Sequence, residues 1–213
     1  MSGPTLVCFA VPQEAKPFRK WAYGGRDIKI AVTGMGIRNA ERALKNAFKM
    51  YSPAQVFTCG FAGALNPALR IGEVVFDRQS TPPDTTAQLV SCGAKPATFH
   101  CTKFVVVTAA AKTQLLKETG ADAVEMESQI IHSLCADRHV PCVTLRAISD
   151  TASEDLPLDF NALLNAEEQL SAAKLAFAIL RSPHRIPALM RLGRNSAHAA
   201  RKLSAVLASL LGA

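Results

Sequence analysis

The chain has 213 residues, 49% hydrophobic and 19% charged, with 24 Lys and Arg against 17 Asp and Glu. This composition builds one large domain with a substantial core and excludes a disordered or fibrous polypeptide. No run approaches the roughly eighteen apolar residues of a membrane span, and no basic leader precedes the short apolar run at 5–10, so a cytoplasmic protein is expected.

Residues 5–10 and 27–33 read as strands. Gly34-Met35-Gly36 breaks the second, and 37–49 shows helical spacing through Ala40, Ala43, Leu44 and Phe48. Residues 55–58 read as a strand that runs into a glycine turn, Gly60-Phe61-Ala62-Gly63. Residues 72–76 form another strand, and the polar, proline-containing stretch 78–96 a loop with strand pieces. A strand is expected over 104–107, a short helix over 112–119, a helix over 127–138 and a strand over 141–148. The polar stretch 151–159 then connects to a helix over 161–180. Ser182-Pro183 stops that helix because proline lacks the N–H it needs, and a second helix is expected from about 187 to 211. Strands alternating with helices indicate an α/β fold: a single layered domain with a central mixed β-sheet flanked by helices. The expected organisation is a catalytic body over 1–182 and a basic, amphipathic helical extension over 183–213.

The cysteines (Cys8, Cys59, Cys92, Cys101, Cys135, Cys142) form no CxxC pair. They are read as free thiols in apolar runs, with no disulfide framework and no zinc site. Charge is unevenly placed. Lys174, Arg181, Arg185, Arg191, Arg194, Arg201 and Lys202 have no acid among them, so residues 171–213 carry the entire net charge of +7. The basic stretch lacks a series of interleaved aromatics for base stacking, with Phe177 alone among its basic residues, and no nucleic-acid partner is expected.

Three acids stand where chemistry could use them. Glu14 follows the first strand, Glu127 starts a helical pattern, and Asp150 closes an apolar strand. Each also has a local structural reading: Asp150 as a helix cap, Glu14 as a surface acid beside Lys16, and Glu125 and Glu127 as solvated acids of a first helical turn.

Six segments in order carry a resemblance. They are Ala10-Val11-Pro12-Gln13-Glu14, Thr33-Gly34-Met35-Gly36, Cys59 to Leu65, Ile71 to Val75, Val124-Glu125-Met126-Glu127-Ser128 and Arg146-Ala147-Ile148-Ser149-Asp150. Together they resemble the nucleoside phosphorylase/nucleosidase superfamily, in the branch that includes methylthioadenosine/adenosylhomocysteine nucleosidase. The resemblance implies cleavage of the N-glycosidic bond of a purine nucleoside. Asp150 then matches the general acid that protonates N7 of the base. Glu127 and Met126 match the ribose-binding pair, with Glu125, Phe61, Ala62, Gly63, Gly34 and Ser149 as further substrate contacts. Glu14 matches the glutamate that activates water where the phosphorylase branch often has arginine. Thr58 stands where a second phosphate-binding arginine often precedes the glycine turn, and Arg146 reads as a structural partner for a nearby carboxylate. Hydrolysis is therefore expected ahead of phosphorolysis, which would take inorganic phosphate as co-substrate; no other cofactor and no metal are expected. A binding protein of regulatory function would not need both an acid and a base.

One departure concerns the base. The nucleosidases usually stack an aromatic on adenine after a late strand, and the nearest match here falls near Lys112, leaving Phe61 as either a substitute or a core phenylalanine. The basic tail and Thr119-Gly120-Ala121-Asp122-Ala123-Val124-Glu125-Met126-Glu127-Ser128 are also similar to hopanoid-associated members of the superfamily. That likeness implies a lipid-linked nucleoside such as adenosylhopane, with peripheral membrane contact through the C-terminal helix. A homo-oligomer is expected as well.

Overall fold

The computed structural model describes residues 3–22, 27–165 and 169–212. Its strands are β1 (Thr5–Phe9), β2 (Ile28–Val32), β3 (Gln55–Ala64), β4 (Val74–Asp77), β5 (Lys95–Ala97), β6 (Phe99–Cys101), β7 (Ala123–Glu125) and β8 (Cys142–Asp150). The helices are α1 (Pro12–Ala22), α2 (Ile37–Met50), α3 (Pro83–Ser91), α4 (Ala109–Thr119), α5 (Ser128–Ala136), α6 (Ala172–Arg181) and α7 (Ile186–Gly212). The strands join one sheet in the order β2-β1-β3-β8-β4-β5, with β7 bridging β3 and β6. β2, β1, β3 and β8 run parallel, whereas β4 is antiparallel to β8 and β7 to β3. The expected mixed sheet with flanking helices is the observed fold.

Alternation along β1 explains the layers. Val7 and Phe9 point into a core with Phe18 of α1 and Leu203 and Leu207 of α7. Leu6 and Cys8 point the other way, into a core with Leu44 of α2 and Ile131 and Leu134 of α5. The C-terminal half of α7 is thus built into the main core, with Ala199, Leu203 and Leu207 fully buried. Its N-terminal half and α6 are different: α6 buries no residue, and Phe177, Leu180, Ile186 and Met190 are exposed. No helix among the described residues is long and apolar enough to cross a membrane. The cysteines are free thiols, and Cys8, Cys59 and Cys135 are buried.

Four expectations are corrected. The glycine turn at 60–63 is not a turn, because β3 runs straight through it to Ala64. Residues 78–96 contain α3, which opens on Pro83 at a position where a missing N–H costs a helix nothing. Residues 104–107 form no strand. Asn161 takes the place of a neighbouring strand there: its Oδ1 accepts from the Val105 N–H at 2.8 Å and its Nδ2 donates to the Val105 carbonyl at 2.9 Å. The helix expected over 161–180 begins only at Ala172, after Ser171 accepts a capping hydrogen bond from the Lys174 N–H. Leu164 instead bridges Leu170. Residues 166–168 of that expectation lie outside the described residues.

Candidate active site

Parallel strands that end together leave a crevice at their carboxyl ends, where ligands of α/β proteins collect. Here β1, β3 and β8 end around a cavity of about 200 Å³. Of the residues singled out from the sequence, Glu14, Phe61, Ala62, Gly63, Glu125, Met126, Glu127, Ser149 and Asp150 all line it. Gly34 does not; it lines an adjoining cavity.

Asp150 is the last residue of β8, and its direction follows from a β-bulge. Ala62 pairs with Ile148 but Gly63 pairs with Asp150, so Ser149 is the extra residue on β8. A Cβ on Gly63 would sit 3.0 Å from Asp150 Oδ2, so the close approach depends on glycine. Ser149 Oγ donates to Asp150 Oδ1 at 2.7 Å. The other carboxylate oxygen, Oδ2, lies 2.6 Å from Nζ of Lys112, a fully buried residue of α4.

Glu14 lies in the first turn of α1, and its Oε2 accepts from the Val11 N–H at 3.0 Å, as in a helix capping box. Its Oε1 reaches across to the Phe61 N–H at 2.8 Å. A Cβ on Gly60 would stand 2.8 Å from that same oxygen, so β3 carries glycine where Glu14 crosses it. Glu14 is therefore a buried acid shared by two elements, not the surface acid of its local reading. Burial pushes its carboxyl up, against the two backbone N–H donors and Arg146, which pull it down.

Glu125 and Glu127 are near neighbours whose carboxyls are shifted in opposite directions. Glu125 is buried, and its Oε2 receives Arg146 Nη2 at 2.6 Å and the Ser128 N–H at 2.8 Å. Burial alone would raise it, but the guanidinium and the Ser128 donors outweigh burial and hold it below its ordinary value. The solvated first-turn reading of Glu125 is corrected accordingly. Glu127 accepts from the Gly36 N–H, at 2.9 Å. Burial, and then the neighbouring Glu125 charge, push it up to about 7. Arg146, expected as a structural partner, donates to Glu125, to the Thr58 carbonyl at 2.6 Å and to Thr58 Oγ1 at 3.2 Å. Thr58 is thus spent on holding Arg146. Arg38 is exposed on α2 and lines neither this cavity nor its neighbour.

The family model described as the phosphorylase superfamily matches residues 7–90 and 93–182, which spans every one of these side chains. The chain belongs to the phosphorylase superfamily. It is 27% identical over 173 residues to a 5'-methylthioadenosine/S-adenosylhomocysteine nucleosidase of Shewanella oneidensis, covering 66% of this chain and 73% of the relative. It is 26% identical over 205 residues to the aminodeoxyfutalosine nucleosidase of Helicobacter pylori, covering 79% and 89%. Its fold superposes on the Neisseria meningitidis 5'-methylthioadenosine/S-adenosylhomocysteine nucleosidase with a TM-score of 0.74 at 17% identity, over 97% of both chains.

Other residues of this cavity were not singled out from the sequence. Thr102, Phe104, Val105, Val106 and Leu156 line its wall because the Asn161 clamp holds that segment in an open loop. Phe104 is 70% exposed there and offers a second aromatic face beside Phe61. Lys112 was missed too, although a signal exists: Lys112, Leu115, Leu116 and Thr119 share one face of α4, so a lone lysine occupies an inward position.

The raised Glu127 makes a stability prediction. The folded state keeps a proton that the unfolded chain releases near the ordinary value of 4.5, so folding is favoured below 4.5 and that contribution is lost as pH rises through about 7. Glu127→Gln should therefore gain in Tm relative to wild type across that window. Thermal scans of both proteins at stepped pH check this; a constant difference in Tm would refute it.

Proposed function

We propose that this member of the superfamily is a purine nucleosidase that hydrolyses the N-glycosidic bond of an adenosine derivative. One observation carries the reading: Glu14, Glu125, Glu127 and Asp150 line the cavity, and no lysine or arginine among the described residues does. A phosphate dianion entering to attack the sugar would meet carboxylates, whereas water would meet a base. The curated relatives with nucleosidase names support the same choice.

The chemistry follows from the positions. Cleavage leaves electron density on the purine and positive charge on the sugar. Asp150 delivers a proton to N7 as the C1′–N9 bond breaks, so the base departs neutral. Glu127 accepts hydrogen bonds from ribose hydroxyls, with Met126 against the sugar face. Glu14 takes a proton from the water that attacks C1′, and its raised carboxyl makes it a stronger base than an ordinary glutamate.

The adjoining cavity favours a finer reading, action on a nucleoside whose 5′ substituent is large and apolar, such as the lipid-linked adenosylhopane. Its volume is about 940 Å³, and Leu164, Leu170, Leu175, Leu189 and Leu192 contribute to its walls. Ala10, Val11, Met35, Phe61 and Val105 line both cavities, so a ribose in one can extend its substituent into the other. The elements that roof this chamber also carry the exposed Phe177, Leu180, Ile186 and Met190, interspersed with the exposed Arg181, Arg185, Arg191 and Arg194. Apolar groups fringed by arginine suit the surface of an anionic bilayer, from which such a substrate would come.

Asp150→Asn should lower kcat on adenosine, methylthioadenosine and adenosylhomocysteine by about 100-fold or more. Added phosphate should leave the rate unchanged and yield no sugar 1-phosphate; formation of the phosphate ester would establish phosphorolysis instead. Across 5′-alkylthioadenosines of rising chain length, kcat/KM should climb by about fourfold per methylene until the chamber is filled, and Leu192→Arg should remove the gain. A flat series would confine the enzyme to small substituents. Wild type should float with phosphatidylglycerol vesicles and not with phosphatidylcholine vesicles, and Leu180→Asp with Met190→Asp should stay behind. Dimerisation lost in that double variant, with no flotation by wild type, would give the face to a second copy of the chain.

A further inference from the structure

Lys112 is a lysine with no exposed surface, sited behind the acid of the reaction and absent from the lining of the cavity. An ammonium has three N–H groups, and three acceptors surround this one. Asp150 Oδ2 lies at 2.6 Å, the Thr151 carbonyl at 2.7 Å and the Glu154 carbonyl at 3.1 Å. Two of these are backbone carbonyls, which can only accept. If the proton facing Asp150 crosses to Oδ2, the neutral amine that remains has two N–H groups for the two carbonyls. Its lone pair then faces the new carboxylic acid. Both placements of the proton satisfy every polar atom of the pair, which a lysine held by a carboxylate alone would not achieve.

We propose that Lys112 stores the proton that Asp150 delivers to the leaving base. This rests on Asp150 being the general acid. Lys112 touches no substrate atom and is a positioning residue that works through Asp150. In the step, an Nζ–H bond breaks as the Oδ2–H bond forms, and Oδ2–H breaks as N7–H forms. The C1′–N9 electron pair passes into the purine as the base leaves. Water supplies hydroxide to C1′ and its proton to Glu14. Glu14 then releases its proton to solvent and one proton returns from solvent to the Lys112–Asp150 pair, which restores both before the next turnover. A small cavity of about 30 Å³, about the room one water needs, is lined by Asp150, Glu154, Asp155, Arg191 and Asn195 and offers the way in.

A store has a kinetic signature. A proton that passes from the Lys112 ammonium to Oδ2 is drawn from within the pair, so its supply does not depend on the proton concentration in solution. A lone carboxyl loses its protonated fraction tenfold per pH unit once past its own titration. Other charged groups face the pair: Glu154 and Asp155 from the following loop, Arg191 from α7, Glu14 from α1, and Glu125 and Glu127 from β7 and the start of α5, with Arg146 of β8 behind Glu125. These are present in wild type and variant alike, so the ratio of the two rates isolates the pair.

The test is Lys112→Met, with kcat/KM for methylthioadenosine measured against pH beside wild type, Lys112→Arg and Asp150→Asn. The ratio of Lys112→Met to wild type should fall by about tenfold per pH unit between about pH 6 and about pH 8. Lys112→Arg should stay impaired by about 100-fold at about pH 8, since a guanidinium keeps the charge but does not release its proton. A ratio independent of pH, or full rescue by arginine, would leave Lys112 a cationic clamp and overturn the store. Should the methionine variant fail to fold, Lys112→Gln keeps a neutral donor to Oδ2 and carries the same test. An active Asp150→Asn enzyme would instead overturn the assignment of Asp150 and the store with it. An inactive Asp150→Asn enzyme beside a pH-independent ratio would overturn the store alone.

Discussion

The site depends on one buried ion pair, Arg146 with Glu125. Taking a guanidinium and a carboxylate out of water costs several kcal/mol per ion, and only close geometry with further hydrogen bonds offsets that. The geometry is close, at 2.6 Å, and the bonds are those to Thr58 on β3 and from Ser128 on α5. The pair therefore ties β8, β3 and the start of α5 at one point, directly beneath the cavity. Glu125 also accepts from the Glu127 N–H at 3.1 Å, so the same ion pair sets where the neighbouring acid begins its side chain. Arg146 Nε is left with no partner among the described residues, a cost the rest of the network offsets.

That arrangement divides four acids into two classes. Glu125 and Asp150 each have a buried cation within 2.6 Å, Arg146 and Lys112. Glu14 and Glu127 accept from backbone N–H donors, with no cation against either among the described residues, and burial pushes both of them up. Without the cations the cavity would concentrate like charge in a place that water scarcely screens. With them, one acid is fixed by Arg146, one is tied to Lys112, and two are left whose carboxyls burial pushes up. The difference comes from partner chemistry, since all four share one wall.

Elements with a strong period were legible in the sequence, because the period is what burial on one face requires. A continuous apolar run is legible too: β1 reads Leu-Val-Cys-Phe because Val7 and Phe9 fill one core and Leu6 and Cys8 the other. So is the leucine spacing of α7. Ambiguity arose where a residue serves a distant partner. Gly60 and Gly63 look like turn residues, yet they are glycines because Glu14 and Asp150 press on a continuous strand. Asn161 looks helical, yet its amide is committed to Val105, far away in the chain. The acids of the site could be named from their order along the chain, but not their charge states. Those depend on Arg146, Lys112 and Gly36, which only folding brings near.

The apolar chamber and the acid pocket make opposite demands on the same short segment, and this explains why 102–107 carries no strand. An ordered strand there would pair its backbone with the sheet and close the wall between the two cavities. Asn161 satisfies the Val105 N–H and carbonyl without a neighbouring strand, and the Leu156 N–H donates to the Val107 carbonyl at 2.8 Å. The backbone is thereby satisfied while Val105 keeps a side chain on both cavities. Asn161 and Leu156 belong to the stretch that follows Asp150 and supplies the Thr151 and Glu154 carbonyls to Lys112. One loop thus sets the outer wall of the pocket and the surroundings of the acid together.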